Sequence, residues 1–90
     1  MAKILVLHTD KGKMPKLNEL QLRHFHVNAG EAMRRDSKLK LNGVYVDKDG
    51  VGISDWEAKD AKAVEKVMKE FLDFIPYDKI VKVEPLPLEL

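Results

Sequence analysis

The sequence predicts an α+β fold whose elements follow the order β-α-β-β-α-β. Three observations predict this order. An apolar run opens the chain, two alternating stretches flank an Asp-Gly turn, and two segments with helical periodicity separate the strands. The predicted strands cover residues 3–9, 39–46, 51–58 and 79–84, and the predicted helices lie near residues 18–35 and 60–74.

The first strand and the first helix are each marked by local signals. The run KILVLHT is apolar at most positions, which is typical of a central strand covered on both faces. Asn18 is a favourable N-cap, and Gln21 three residues later completes a capping-box pattern. Apolar residues then recur at helical spacing, which predicts a buried stripe of Leu22, Phe25, Ala29 and Met33.

The middle of the chain predicts a hairpin followed by a second helix. Asp49-Gly50 supplies the left-handed backbone that a tight hairpin turn needs. Asp60 is placed to cap the second helix, and Pro76 stops it. The predicted buried stripe of that helix consists of Val64, Val67, Met68, Phe71 and Ile75.

This order is that of the ferredoxin-like fold, with a four-stranded antiparallel sheet and both helices on one face. We expect residues 1–84 to form this domain and residues 85–90, PLPLEL, to form an extended C-terminal tail, because two prolines exclude a regular central strand. The strands carry apolar residues on both faces, so the sheet face without helices needs a cover. We expect a homodimer through that face, with two sheets packed face to face as a dimeric α/β barrel or sandwich.

Composition excludes several classes of function. Ninety residues with a net charge of +1 create no global basic field, so we expect no nucleic-acid partner. The absence of cysteine excludes disulfides and thiolate metal sites. No apolar stretch approaches the roughly 20 residues that span a bilayer, so we expect no membrane partner and a cytoplasmic location.

Histidines and carboxylates are the candidate site residues. We expect His8 and His26 to approach each other across the sheet–helix interface, with Asp55 or Glu57 nearby. Imidazole nitrogens with a carboxylate oxygen suit nickel, zinc or copper. His8 is also open to a structural interpretation, as a histidine at the sheet rim that is hydrogen-bonded to one neighbour, and His24 is expected to point outward.

The sequence lacks the residues that other activities associated with this fold require. RNA-recognition modules need stacking aromatics on both central strands, whereas only Trp56 is available, and it is better explained as core or dimer interface. Metallochaperones of this fold need a CxxC motif, and an acylphosphatase-like activity needs an arginine in the first loop. No catalytic residue is assigned, and no HExxH, GxGxxG or P-loop pattern occurs.

Short motifs between residues 3 and 84 resemble a known family. They are the strand end His8-Thr9, the helical His26, the stretch from Glu57-Ala58 to Ala63-Val64, and Asp78, Ile80 and Val83 near the end. Together they resemble the small ferredoxin-like proteins described as nickel-binding domain proteins. The resemblance implies a dimeric α/β barrel that binds nickel or another divalent transition metal. That family's histidine near the end of the second helix has no counterpart in KEFLD, residues 69–73.

Two functions follow from the sequence. The first is a small dimeric binding protein for a divalent transition metal such as nickel. The alternative is a dimeric α/β-barrel enzyme or small-molecule-binding protein whose site lies between sheet and helix. The residues identify neither the metal nor a substrate.

Overall fold

The computed structural model describes residues 1–89 of the chain. Its elements are β1 (Ala2–His8), α1 (Glu19–Arg35), β2 (Lys40–Val46), β3 (Gly52–Ala58), α2 (Ala61–Glu70) and β4 (Lys79–Val83). The four strands form one antiparallel sheet in the order β2-β3-β1-β4, so β1 and β3 are central. The predicted ferredoxin-like arrangement is confirmed.

The core lies between one face of the sheet and the two helices. Ile4, Val6 and Trp56 of the central strands are fully buried there, packed in one cluster with Phe25 of α1 and Val64 of α2. Trp56 is therefore a core residue. Successive strand residues point to opposite faces, so the intervening residues form the second face of the sheet. This second face, called the open face below, carries the apolar residues Leu5, Leu7, Tyr45, Ile53, Val81 and Val83.

The first helix begins where its capping box predicts. The Gln21 amide donates to Asn18 Oδ1 at 2.8 Å, and the Asn18 amide donates to Gln21 Oε1 at 2.9 Å. These reciprocal bonds satisfy two amides that otherwise have no partner inside the helix. The cap fixes where α1 starts, and thereby which of its faces meets the sheet.

The second helix is shorter than its apolar periodicity predicts. Asp60 caps it as expected, accepting from the Ala63 amide at 2.9 Å, but α2 ends at Glu70 rather than near residue 74. The amides of Phe71 and Leu72 both donate to the Val67 carbonyl, so the chain leaves the helix there. The apolar pattern continues past the helix end because the following turn also contributes buried residues to the core, namely Leu72 and Ile75.

The predicted hairpin turn between β2 and β3 is confirmed. Gly50 has φ +84°, in the region that favours glycine. Asp47 Oδ1 accepts from the amides of Asp49 and Val51 at 2.8 and 3.0 Å, which holds the turn closed. The Met14 amide donates to the Gly50 carbonyl at 2.8 Å, so the loop after β1 is fastened to the hairpin.

Residues 84–89 follow β4 without forming a helix or a strand. Leu86 and Leu88 are 76% and 78% exposed, the most exposed leucines of the described chain. The last residue of the predicted tail, Leu90, lies outside the described residues. Across residues 1–89, no helix has the combination of length and apolar character that crossing a membrane requires.

Candidate functional site

His8 is the most deeply buried polar side chain of the candidate set, with none of its surface exposed. Its Nδ1 lies 2.8 Å from the Pro76 carbonyl and 3.1 Å from the Gly12 carbonyl, and its Nε2 lies 2.8 Å from Ser54 Oγ. Carbonyls only accept, so Nδ1 carries the proton and Nε2 accepts from the serine hydroxyl. Both ring nitrogens are therefore engaged within the protein, which matches the structural interpretation of this histidine.

The same geometry resembles a serine–histidine pair, but the pair is closed to substrate. Ser54 is 2% exposed and His8 is not exposed at all, so no scissile bond can reach the hydroxyl without unpacking the core. The pair instead joins β1 to β3, and the Nδ1 contacts join both strands to the loops on either side of them. Its role is to hold four segments together.

The prediction that Asp55 or Glu57 lies near His8 is wrong. Antiparallel pairing places His8, at the end of β1, opposite Gly52 at the start of β3. Asp55 and Glu57 lie further along β3 and alternate onto the open face, on the other side of the sheet from the buried imidazole. Ser54, which shares the buried face, occupies the place that the carboxylate was expected to take.

Asp55 has its own partners on the open face. Both of its carboxylate oxygens lie 3.1 Å from Lys3 Nζ, and Asn42 Nδ2 approaches one of them at 3.5 Å. The Asp55 side chain is 16% exposed whereas that of Lys3 is 50% exposed. This ion pair explains how a central strand accommodates a carboxylate. The strand register also places Lys40, Glu57 and Lys79 on the open face, beside its apolar residues.

Asp78 fastens the loop after β1 to the start of β4. Its Oδ2 accepts from the amides of Thr9 and Asp10 at 2.7 and 3.0 Å, and its Oδ1 accepts from the Gly12 amide at 3.0 Å. Hydrogen bonds from the backbone of Asp10, Thr9 and Gly12 favour the charged form and lower the pKa of Asp78 from 3.8 to about 2. Asp78 therefore orders the loop that carries one wall of the groove described below.

We expect Asp78→Asn to destabilise the fold at neutral pH and to flatten its acid response. The folded-state pKa lies below the ordinary value of 3.8, so the carboxylate contributes stability above that value, and the contribution is lost as the pH falls towards 2. Urea unfolding of both proteins at pH 7 and pH 2.5 measures this. Asp73→Asn, at an exposed position, is the matched control. An equal loss of stability between these pH values in wild type and in Asp78→Asn would contradict the assignment.

An apolar groove lies between α1 and β2. It has a volume of about 540 Å³, and residues of the loop after β1 form one of its walls. His26 is the one titratable side chain in its lining. The lining consists of Met14, Pro15, Leu17, Leu22, Phe25, His26, Ala29, Met33, Leu41, Gly43, Val44 and Val46.

Several apolar groups in the groove remain in contact with solvent. Leu22 and Val46 are 46% and 41% exposed, although neither residue forms part of a turn or a helix cap. The prediction that Leu22 is buried in the core stripe is therefore wrong, because the groove separates it from the sheet. Apolar side chains that line an open cavity of this size are typical of a binding site rather than of a solvated face.

The four predicted ligands lie in three separate places. His26 is exposed at the groove, where its ring meets that of Phe25 edge-to-face with centroids 6.2 Å apart. His8 is buried in the loop network, and Asp55 and Glu57 are on the open face. Among residues 1–89, no group of three or more histidine, aspartate or glutamate side chains is arranged to hold a metal ion.

Sequence reasoning missed the contribution of the first loop to the groove. Met14, Pro15 and Leu17 lie between the first predicted strand and the first predicted helix and were given no role, yet they form one wall. The available signal was the presence of two large apolar residues, Met14 and Leu17, in the otherwise polar stretch DKGKMPKLNE. Apolar loop residues of this kind indicate a loop that packs on the domain.

Comparison with known proteins finds no matching family model, no matching curated protein and no matching solved structure. The class that the fold and the site define is a small ferredoxin-like α+β protein with an apolar groove beside its first helix. The resemblance to nickel-binding domain proteins stays a prediction.

Proposed function

We propose that this protein binds a small, mainly apolar molecule in the groove between α1 and β2. The observation that carries the proposal is the groove itself, whose volume of about 540 Å³ lies in the range of small-molecule sites and whose lining is apolar except for His26. A single imidazole beside an apolar surface provides one polar contact to orient a ligand. The ligand class that fits is a hydrophobic molecule with one hydrogen-bonding or anionic group.

Leu22→Lys is expected to weaken binding of an apolar fluorescent probe such as 1-N-phenylnaphthylamine by at least about tenfold. The substitution places a charge at the mouth of the groove, and Leu22 is exposed enough for the fold to tolerate it. Leu20→Lys is the matched control, because Leu20 is an exposed leucine on the same helix, 61% accessible, outside the groove lining.

Probe titrations of the wild type and the two variants decide between binding in the groove and binding elsewhere. Equal losses in Leu20→Lys and Leu22→Lys would place the probe on the outer surface of α1. An unchanged affinity in Leu22→Lys, with the fold verified by circular dichroism, would rule out the groove as the site.

We also propose that the protein acts as a homodimer that packs two open faces together. Six apolar side chains occupy this face, and Tyr45 among them is 60% exposed. In a domain of this size, burying such a surface adds stability that a single subunit lacks. A second copy supplies a surface of the same chemistry, as two-fold symmetric interfaces require.

Binding of a divalent transition metal is the second candidate function, supported by the accessible imidazole of His26. One imidazole gives a weak site, so a metal would need ligands from a second subunit. Nickel titration of untagged protein is expected to show binding that His26→Ala abolishes and that His24→Ala, an exposed control on the same helix, retains. Equal binding by both variants would remove His26 from the site, and absence of binding by wild type would end the metal hypothesis.

A further inference from the structure

The open face carries charged residues in a fixed order across the sheet. Residues that are paired between neighbouring strands point to the same face, so the outward side chains form rows that cross all four strands. The first row, at the end of the sheet where β1 begins, consists of Lys40 on β2, Glu57 on β3, Lys3 on β1 and Val83 on β4. Charges therefore alternate along three strands, and an apolar residue ends the row.

The other two rows are mainly apolar. In the same strand order, the middle row consists of Gly43, Asp55, Leu5 and Val81, and the last row consists of Tyr45, Ile53, Leu7 and Lys79. Asp55 already has a partner, since both of its oxygens lie 3.1 Å from Lys3 Nζ. Lys79 lies on an edge strand, from which a long side chain can reach water. The charges that a partner surface must match are therefore concentrated in the first row.

Two copies of this face can pack with aligned strands and two-fold symmetry in two ways. A two-fold axis parallel to the strands keeps each row at its own level and reverses the strand order, so β3 lies over the partner's β1. A two-fold axis across the strands keeps each strand over its own copy and reverses the order of the rows. The two arrangements therefore bring different residues into contact.

The parallel axis gives the first row partners of opposite charge. It places Glu57 opposite the partner's Lys3 and, by symmetry, Lys3 opposite the partner's Glu57. Two sheets packed face to face lie about 10 Å apart, a gap that a lysine and a glutamate side chain bridge together. Because β3 and β1 are the two central strands, both pairs lie beside the axis, where the angle between the sheets displaces them least.

Both members of each pair have bonding capacity to offer. A lysine ammonium has three donors, so the two contacts of Lys3 with Asp55 leave one for a further acceptor. Within residues 1–89, Glu57 forms no ion pair, although Lys40 and Lys3 flank it in the row. The Lys3 side chain is 50% exposed in the single subunit, so it can turn towards a second copy.

The axis across the strands would set charges against apolar residues. Glu57 would lie over the partner's Ile53 and Lys3 over the partner's Leu7, and each charge would lose water without gaining a partner. In the middle row each Asp55 would face the partner's Asp55, which adds repulsion between like charges. With the parallel axis, Asp55 instead lies over the partner's Leu5 and keeps its bond to Lys3. The charge pattern thus selects the parallel axis.

We propose that the homodimer packs with its two-fold axis parallel to the strands and is aligned by two ion pairs, each between Glu57 and the partner's Lys3. This inference rests on the proposed homodimer through the open face and adds which strands and rows meet. The first row lies at the end of the sheet, so the pairs sit at the rim of the interface, where charges determine the arrangement more than the affinity. In the last row, Ile53 packs on the partner's Leu7.

Cross-linking distinguishes the two axes because the chain has no cysteine of its own. With the parallel axis, Val83 lies over the partner's Lys40, whereas with the other axis it lies over the partner's Lys79. Lys40→Cys protein is mixed with Val83→Cys protein, and a short bismaleimide is added. Lys79→Cys mixed with Val83→Cys is the matched control. We expect several times more covalent dimer in the first mixture than in the control mixture or in any variant alone.

Exchanging the charges tests the ion pairs themselves. Glu57→Lys sets two lysines against each other in each pair, and Lys3→Glu sets two carboxylates there. Each variant alone should therefore dimerise at least about tenfold more weakly than the wild type. Mixing the two variants restores opposite charges in both pairs, so the mixture should sediment as a dimer at a concentration where each variant alone is a monomer. Circular dichroism verifies that both variants fold.

Lys79→Glu is the control for the net charge of the face. It makes the same change of charge on the open face as Lys3→Glu, but in the last row, away from Glu57. Lys79→Glu alone should remain a dimer, and adding it to Glu57→Lys should leave the Glu57→Lys protein monomeric. Equal rescue by Lys79→Glu and Lys3→Glu would overturn the specific pair.

The outcomes separate this inference from the dimer on which it rests. A wild-type dimer that cross-links through Lys79→Cys and Val83→Cys, or whose mixed charge variants associate no better than each alone, overturns the parallel axis and leaves the homodimer in place. Glu57→Lys and Lys3→Glu proteins that dimerise as tightly as the wild type would exclude the ion pairs. A wild-type dimer that cross-links in neither mixture places the interface elsewhere. Wild-type protein that sediments as a monomer overturns both the homodimer and this inference.

Discussion

His8→Ala is expected to lower the free energy of unfolding by about 3–5 kcal/mol. The substitution leaves a cavity at a fully buried position, and large-to-small changes in cores cost about 2–5 kcal/mol. It also removes the partner of the Ser54 hydroxyl and of the Pro76 carbonyl, and a buried polar group without a partner costs about 1–3 kcal/mol. Relaxation of the loops recovers part of this sum.

Thermal and urea unfolding measure the effect. For a domain of this length each kcal/mol corresponds to a shift of about 4–8 °C in Tm, so a loss of about 3–5 kcal/mol should lower Tm by roughly 12–40 °C. His24→Ala, at an exposed helix position, should shift Tm by only a few degrees. Ser54→Ala should cost less than His8→Ala, and the double variant should cost less than the sum, because the two side chains share one hydrogen bond. A loss below about 1 kcal/mol in His8→Ala would contradict the role assigned to this network.

The sequence predicted the fold because its signals are local. The reciprocal bonds of Asn18 and Gln21 and the positive φ of Gly50 depend on residues three or four apart, so composition and spacing reveal them. Strand alternation likewise sorts the residues of β1 and β3 into two faces, but it does not say which face the helices cover. The position where α2 ends was not predicted, because the apolar pattern reflects burial and the turn after Glu70 is as buried as the helix before it.

The surroundings of His8 could not be predicted from residue types. Two of its three partners are the carbonyls of Gly12 and Pro76. Every residue has a backbone carbonyl, so residue types do not reveal which carbonyls accept these hydrogen bonds. The third, Ser54, depends on the register between β1 and β3, which pairs the end of one strand with the beginning of the other. The groove was not predicted for a related reason. Its lining comes from a loop, a helix and a strand, and only tertiary packing sets the distances between them.

Leu5→Lys is expected to convert the proposed dimer to a monomer and to raise its dissociation constant at least 100-fold. Leu5 lies on central strand β1 and faces the open side, opposite Asp55 on β3 and Val81 on β4. In the isolated subunit a lysine here finds Asp55 directly across, so the fold accommodates it. In a face-to-face dimer, two such lysines must leave water near the centre of the interface. Each would share the Asp55 carboxylate with Lys3, which already bonds both of its oxygens, so the buried charge is incompletely paired and costs several kcal/mol.

Sedimentation velocity between about 1 and 100 μM measures the association, and urea unfolding of the monomeric variant verifies that the subunit still folds. Leu20→Lys is the control, because it adds the same charge to an exposed leucine of α1, away from the sheet. The wild type and Leu20→Lys should sediment as dimers and Leu5→Lys as a monomer. A Leu5→Lys protein that remains dimeric would move the interface to another surface, and the edge strand β2 would be the next place to test, since its outer backbone groups have no strand beside them in the sheet.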